Sequence, residues 1–366
     1  MLAEGAWGEC AHMMQATNRG VVGVVLNWNG WQDTIECLES LRLLSLSPRR
    51  IVVVDNGSTD DSLEQIGAWA RGGLLVNSRA SGAAQGAKPV VLVEYDCLTA
   101  EAGGIAEEEA SLEAAPPERR LVLIKTGENL GFAGGMNVGV RYACAVGADY
   151  AWLINNDTVV ASDALATLVE ALKGRPWLGI AGPLELDYFE PGKVVDSVGV
   201  VRPWRGVIGG VPRDLPLDCQ GCANVELLSG FNLFVRCDAV RAVGLMDERF
   251  FLYCEDAEWC VRMRKKGWQL LYISTARVWH KRSQSTGWGS PLMYYYTTRN
   301  QLRLFSMHFP YAVPAALVRS GLRALKLACY RRWSQCRGVV RGCWDWMRGK
   351  LGMAQIQPSR RGADAA

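Results

Sequence analysis

The feature that most constrains this chain is the alternation, through its first half, of short β-branched runs with segments whose apolar residues recur at helical spacing. Val21 to Leu26, Ile51 to Val54, Val90 to Val93, Leu121 to Ile124 and Trp152 to Ile154 read as strands. Between the first two, Ile35, Leu38, Leu41 and Leu44 mark a helix over Asp33 to Leu44, and a second helix is expected over Ala133 to Val146. Parallel strands need a crossover connection, usually a helix, so the pattern specifies an α/β fold of βαβ units around a mainly parallel sheet.

Polar residues gather where these runs end, and carboxyl ends of strands are where open α/β sheets place ligands. Asn27 closes the first run in GVVLNWNG. Asp55 lies just past the second, in VVVDNGSTD; it serves either a nucleoside or, with Ser58, the cap of a helix beginning near Asp60. In ENLGFAGGMNVG the glycines Gly131, Gly134 and Gly135 permit close backbone approach, and the helix that follows aims its N-terminal amides at an anion, with Asn137 in its first turn. The alternative there is a tight loop packed under a helix. WLINNDTVV ends a strand in Asn155, Asn156 and Asp157, with Asn155 and Asp157 on the same side of extended backbone. Such oxygen donors suit Mg²⁺ or Mn²⁺, and His280, which closes the run LLYISTARVW, is the candidate for a further ligand.

Glu255 and Asp256 open an amphipathic helix, EDAEWCVRMRKKGW, with a basic last turn and Gly267 as its stop. Acids at a helix start commonly serve the helix dipole alone. Here the aromatic run FFLY leads into them, which places a carboxylate at the rim of a walled pocket, as a general base requires.

These motifs, in this order, resemble family 2 glycosyltransferases of the GT-A fold, particularly the bacterial rhamnosyltransferase-like branch, over roughly residues 20 to 310. The resemblance implies a nucleotide-binding α/β fold with a mainly parallel central sheet flanked by helices, and a divalent cation as cofactor. It implies an inverting transfer of a sugar from a dTDP- or UDP-sugar to an acceptor hydroxyl on a cell-surface polysaccharide or lipid-linked glycan precursor. In its terms Asp55 contacts the nucleoside, and Asn27, Gly134, Asn137, Asn155, Asn156 and Arg299 join it in the nucleotide-sugar site. The metal motif maps to Asn155, Asn156 and Asp157, its first acidic position being Asn155 here, and His280 completes the coordination. The base falls in the Glu255 and Asp256 pair: Asp256 matches the second acid, and Glu255 supports it or binds the acceptor. YYYTTRN resembles a Tyr/Arg/Asn motif of the same branch, at Tyr296, Arg299 and Asn300. Arg299 either contacts diphosphate or an anionic acceptor, or makes a helix-surface ion pair. Rhamnose as the sugar rests on this analogy alone.

The other segments carry less chemistry. Residues 1–19 lack a basic n-region and a continuous apolar run, so they read as a tail of a cytoplasmic protein. A length of 366 residues at 49% hydrophobic content supports one large core, and a formal net charge of +3 does not point to nucleic acid as a partner. The 12 cysteines are scattered and read as free thiols, Cys219 and Cys222 being a CxxC with no second pair. Residues from about 75 to 120 read as a solvated, acidic surface insertion. Residues 311–352 form a basic, tryptophan-rich helical extension with Asp345 as the one acid, too interrupted by charge to span a bilayer. It suits an anionic membrane surface, at the cytoplasmic face of the inner membrane, where a polyprenyl-linked acceptor is met; the alternative is an oligomer-packing helix. Residues 353–366 read as a disordered tail. Two other functions remain: a silent nucleotide-sugar binding protein, which should lack a base such as Asp256, and a sugar nucleotidyltransferase, which should carry a basic, glycine-rich loop where NWNGWQD stands.

Overall fold

The computed structural model describes residues 20–74, 90–195, 197–210, 215, 218, 221–282 and 289–354. The N-terminal tail, Cys219, part of the 75–120 stretch and nearly all of the C-terminal tail lie outside the described residues.

The alternation gives β1 (Val21–Asn27), α1 (Trp31–Arg42), β2 (Arg50–Asp55), α2 (Ser62–Ala70), β3 (Val91–Asp96), α3 (Cys97–Glu101), α4 (Ala106–Ala114), β4 (Arg120–Lys125), α5 (Gly131–Ala145) and β5 (Tyr150–Asn155). There follow β6 (Thr158–Val160), α6 (Ala164–Leu172), β7 (Leu178–Asp187), β8 (Cys222–Asn224), β9 (Asn232–Arg236) and α7 (Cys237–Val243). The chain continues through α8 (Glu255–Lys265), β10 (Gln269–His280), α9 (Pro291–His308), α10 (Val313–Cys329) and α11 (Trp333–Met347). The main sheet runs β8-β10-β7-β9-β5-β1-β2-β4-β3. From β5 to β3 all neighbours are parallel, β9 is antiparallel to both β5 and β7, and β10 runs parallel to β7.

Both faces of this sheet are covered. Val22, Val24, Val52, Val54, Val122 and Ile124 bury on one side, and Val21, Val25, Ile51, Val53, Leu121 and Leu123 on the other. That two-sided burial is why the strands read as unbroken apolar runs. Each such side chain contributes about 1.5–3 kcal/mol on leaving water. Helix α5 lies close on β1: a Cβ on Gly139 would stand 2.2 Å from Val24, and one on Gly135 2.5 Å from Leu26.

The described part of the 75–120 stretch holds a short acidic helix, α4, and two of its acids are tied to the sheet. The stretch also supplies the edge strand β3, and Glu109 and Glu113 of α4 pair with Arg50, whose side chain is fully buried and also donates to the Tyr142 hydroxyl. A buried guanidinium without such partners would be costly, so the acids are fixed by the fold rather than by solubility.

Helix α9 starts at Ser290, whose hydroxyl accepts from the Met293 amide at 3.1 Å, with Pro291 in the first turn. Helices α10 and α11 pack against it and each other. Their outer faces expose Val318, Leu322, Leu325, Trp333, Val340 and Trp344 beside Arg319, Lys326 and Arg337. Asp345 is buried instead, accepting from the Tyr295 hydroxyl at 2.9 Å and pairing with Lys350 at 3.0 Å. Among the described residues no helix is long and apolar enough to cross a membrane. The described cysteines, Cys222 among them, form no disulfide.

Candidate active site

A cleft of about 480 Å³ opens at the carboxyl ends of β1 and β5, walled by Trp28, Asn56, Asn155, Asp157, His280, the segment Phe251–Tyr253, Glu255 and Asp256. Its foundation is set by ladder register, which puts Asn27 opposite Asp55. Asn27 Nδ2 donates to Asp55 Oδ1 at 2.8 Å and to Ser58 Oγ at 3.1 Å, while Thr34 Oγ1 donates to Asn27 Oδ1 at 2.7 Å. The Ser58 amide donates to Asp55 Oδ2 at 3.1 Å. Neither Asp55 nor Ser58 caps α2, whose first turn is met by Asp60 accepting from the Ser62 amide. Asn27 and Asp55 therefore form a polar node just beneath the cleft lining.

The end of β5 carries three different roles. Asn156 is a strut, donating to Thr34 Oγ1 at 3.0 Å and to the Gly30 carbonyl at 3.2 Å. Asn155 Oδ1 is buried with no hydrogen-bond partner and lines the cleft. Asp157 Oδ1 lies 3.1 Å from His280 Nε2, and His280 Nδ1 lies 2.7 Å from Glu185 Oε1. The ring stacks on Phe231 at 5.1 Å. Burial pulls the His280 pKa down, but hydrogen bonds to Asp157 and Glu185 outweigh it and hold the ring up at about 9.

This arrangement can take a small divalent cation once the proton shared by His280 Nε2 and Asp157 is displaced. Adjacent ligands of a six-coordinate ion with bonds near 2.1 Å stand about 3 Å apart, the spacing of Asp157 Oδ1 and His280 Nε2. A carboxylate on the second ring nitrogen is the usual companion of a metal-bound imidazole. The unpartnered Asn155 oxygen offers a neutral third donor. Among the described residues no group of three His, Cys, Asp or Glu side chains converges to hold an ion, so substrate oxygens and water would complete the shell, as Mg²⁺ generally prefers.

Glu255 and Asp256 reach the cleft from a backbone of uncommon shape. Phe251, Tyr253 and Cys254 have φ of 65°, 67° and 69°, left-handed values that cost a non-glycine residue roughly 1–2 kcal/mol each. Asp256 Oδ2 accepts from the Gly230 amide at 2.8 Å and Oδ1 from the Ala257 amide at 2.7 Å. Burial raises its pKa, partly offset by those amides. Glu255 Oε2 is buried without a partner, and burial, then the neighbouring Asp256 charge, pushes this carboxyl well above its usual range.

Three expected donor-site residues are elsewhere. Gly134 faces Leu130 within the helix packing. Asn137 is turned away from the cleft: its amide donates to the Met246 carbonyl and to Glu248, both at 2.9 Å, and its oxygen accepts from the Met246 amide. Nor is the start of α5 open to an anion, because Phe132 N–H donates to the Phe251 carbonyl at 2.7 Å and Gly131 N–H to Asn129 Oδ1 at 2.9 Å. Gly131, at φ 76°, is required there: a Cβ would stand 2.4 Å from the Phe251 oxygen. Arg299 is neither a diphosphate contact nor a surface ion pair; it is 2% exposed and spends its nitrogens on the Phe250 and Gly352 carbonyls and Asn300. Conversely, Glu185, Arg282, Met353 and Ala354 line the cleft without having been singled out by the sequence, and Tyr296 of the Tyr/Arg/Asn motif lines it too. Glu185 carries no motif, although acids at Glu185 and Asp187 ending the apolar run LGIAGPLELD were a usable signal.

Residues 90–291 match the family described as glycosyltransferase like family 2, and residues 24–86 match glycosyl transferase family 2. The N-acetylglucosaminyl-diphospho-decaprenol L-rhamnosyltransferase of Mycobacterium tuberculosis is 29% identical over 200 residues, 49% of this chain and 64% of that protein. The dTDP-rhamnosyl transferase RfbF of Shigella flexneri is 26% identical over 201 residues, 51% of this chain and 64% of that protein. The chain thus spans a little under two thirds of the length of these relatives. Among solved structures, a mannosyltransferase from Pyrobaculum calidifontis in complex with GDP-Man and Mn²⁺ superposes with a TM-score of 0.51 at 14% identity, covering 94% of this chain and 96% of that one. That likeness shows the fold, GT-A.

Proposed function

Because the chain belongs to glycosyltransferase like family 2, in its rhamnosyltransferase-like branch, we propose that it moves a sugar from a dTDP- or UDP-sugar to an acceptor hydroxyl with inversion at the anomeric carbon. The observation that carries this reading is the convergence in one cleft of the Asp157–His280 pair and the carboxyls of Asp256 and Glu255.

Asp256 is the general base. Two backbone amides fix its carboxylate, and its remaining lone pairs take the proton of the acceptor hydroxyl as that oxygen bonds to the anomeric carbon and the bond to diphosphate breaks. Its raised affinity brings it nearer to the acidity a base needs. Glu255 keeps its proton and offers it as a hydrogen bond to acceptor or sugar. Asp157 and His280 would hold Mg²⁺ or Mn²⁺, which supplies charge stabilisation to the departing diphosphate. Arg282, the arginine of the cleft lining, takes the diphosphate role that Arg299 does not fill. Trp28 and Asn56 line the cleft where the nucleoside is met, and the Asn27–Asp55 node supports them from beneath.

The names of the relatives support rhamnose as the sugar and a polyprenyl-diphosphate-linked N-acetylglucosamine as the acceptor. The basic, apolar outer face of α10 and α11 supports peripheral contact with the cytoplasmic face of the inner membrane, where such an acceptor resides. The test is transfer from dTDP-rhamnose or UDP-sugars to that acceptor with Mn²⁺, followed by mass spectrometry. A sugar added by the wild type and not by Asp256→Asn is expected. Full transfer by the variant removes Asp256 as base, and no transfer by the wild type favours a silent nucleotide-sugar binding protein.

A further inference from the structure

The Tyr/Arg/Asn motif of α9 is left without a ligand role, yet it touches the site from behind. Asn300 is fully buried. Its Nδ2 lies 2.9 Å from the Phe250 carbonyl, 2.8 Å from that of Leu252 and 2.8 Å from that of Tyr253, so one amide gathers the backbone that leads into Glu255. Its orientation is set by Arg299 Nε, which donates to Asn300 Oδ1 at 2.9 Å. Arg299 reaches the Phe250 carbonyl as well at 3.0 Å, and at 2.8 Å the carbonyl of Gly352, next to the cleft-lining Met353. Tyr296 stacks on Phe251 at 5.6 Å and accepts from the Ala354 amide at 2.7 Å.

We propose that Arg299 and Asn300 are positioning residues for the transfer reaction. They hold the Phe250–Cys254 backbone in the shape that delivers Glu255 and Asp256, and they pin to the same point the C-terminal segment that completes the cleft wall. The inference rests on Asp256 being the base. Its physical ground is that left-handed φ at three non-glycine residues persists only where surrounding contacts over-determine it, and these carbonyl bonds are the contacts that do so. The carbonyls are acceptors, so the anchor must be a donor; an acid of the same shape cannot replace it.

Asn300→Asp is that replacement, and Arg299→Lys keeps the charge while losing the two-pronged donor. With dTDP-rhamnose, Mn²⁺ and the polyprenyl-linked acceptor, kcat is expected to fall about 100-fold in Asn300→Asp and about tenfold in Arg299→Lys. The donor KM and the calorimetric affinity for dTDP should stay within about threefold, since the donor side does not lean on α9. The pH profile of kcat should shift, because the surroundings of Asp256 change, and hydrogen exchange should rise across residues 250–256 but not across β1 and β2. Unchanged kcat with unchanged exchange overturns the proposal. So does a fall in kcat matched by loss of dTDP binding and a general rise in exchange, which marks mere support of the fold. Absence of transfer by the wild type overturns the proposed transferase activity instead, and exchange across 250–256 then still decides whether the pair anchors the loop.

Discussion

The proposed donor side and the proposed base side of the cleft are built by different means. On the donor side the polar residues are strand ends placed by hydrogen-bonded register: Asn27 opposite Asp55, Leu26 opposite Asn155. On the base side no ladder reaches the cleft. The loop into α8 takes left-handed backbone angles and is held by side chains 47 to 50 residues further along the chain. A sheet edge delivers function wherever its strands are in register, whereas a loop delivers it only while a remote anchor holds.

The sharpest way to separate the two sides is Asp256→Asn, which should lower kcat by roughly 10²–10⁴-fold while nucleotide affinity stays near that of the wild type, as steady-state kinetics and calorimetry would show. Next comes Glu185→Gln, which leaves both proposed metal ligands in place but weakens the acceptor on His280 Nδ1. Metal affinity, read as the Mn²⁺ concentration for half-maximal dTDP binding, should weaken about 10–100-fold. Asn27→Ala removes the donor to Asp55 and Ser58 from beneath the donor side. It should raise the donor KM several-fold and lower stability by about 1–3 kcal/mol, with little change in kcat.

The smallest effect is on stability against pH. Burial holds the Glu255 carboxyl above its usual value, so the folded protein binds its proton more tightly than the unfolded chain. That contribution is fully present below the unfolded pKa of about 4.3 and is lost as pH rises through the folded value. Glu255→Gln removes the dependence. Its Tm should therefore gain on that of the wild type by a few degrees between mildly acidic and alkaline pH, and a gap independent of pH would contradict the burial of an ionisable Glu255.

The contrast also explains what could be read from the sequence. Strands ending in Asn27, Asp55 and Asn155 were legible because burial on both sheet faces writes continuous apolar runs, and a polar residue stops each run at the end of the sheet that carries the cleft. Asp157 with His280, and Asp256 with Glu255, were legible as motifs, and the structure brings all four to one cleft. Asn137 was misplaced, and the start of α5 stayed open between an anion site and a tight packed loop, because a glycine-rich helix start looks alike whether its amides face a phosphate or, as here, the Phe251 carbonyl. Arg299 was misread because spacing along a helix does not say which neighbour buries it. Glu109 and Glu113 of α4 are not legible as structural acids because their partner, Arg50, lies 59 and 63 residues away inside a strand. Each miss depends on a contact between segments far apart in sequence.

The most direct test of the central claim, a metal-assisted donor site joined to an independently anchored base, is calorimetric titration of UDP and dTDP into the full chain with and without Mn²⁺ or Mg²⁺. The wild type, Asp157→Ala and Asp256→Asn would be measured side by side. The account predicts metal-dependent binding by the wild type and Asp256→Asn, and loss of the metal dependence in Asp157→Ala. Equal affinity with and without metal in the wild type, or loss of binding in a folded Asp256→Asn, would contradict it.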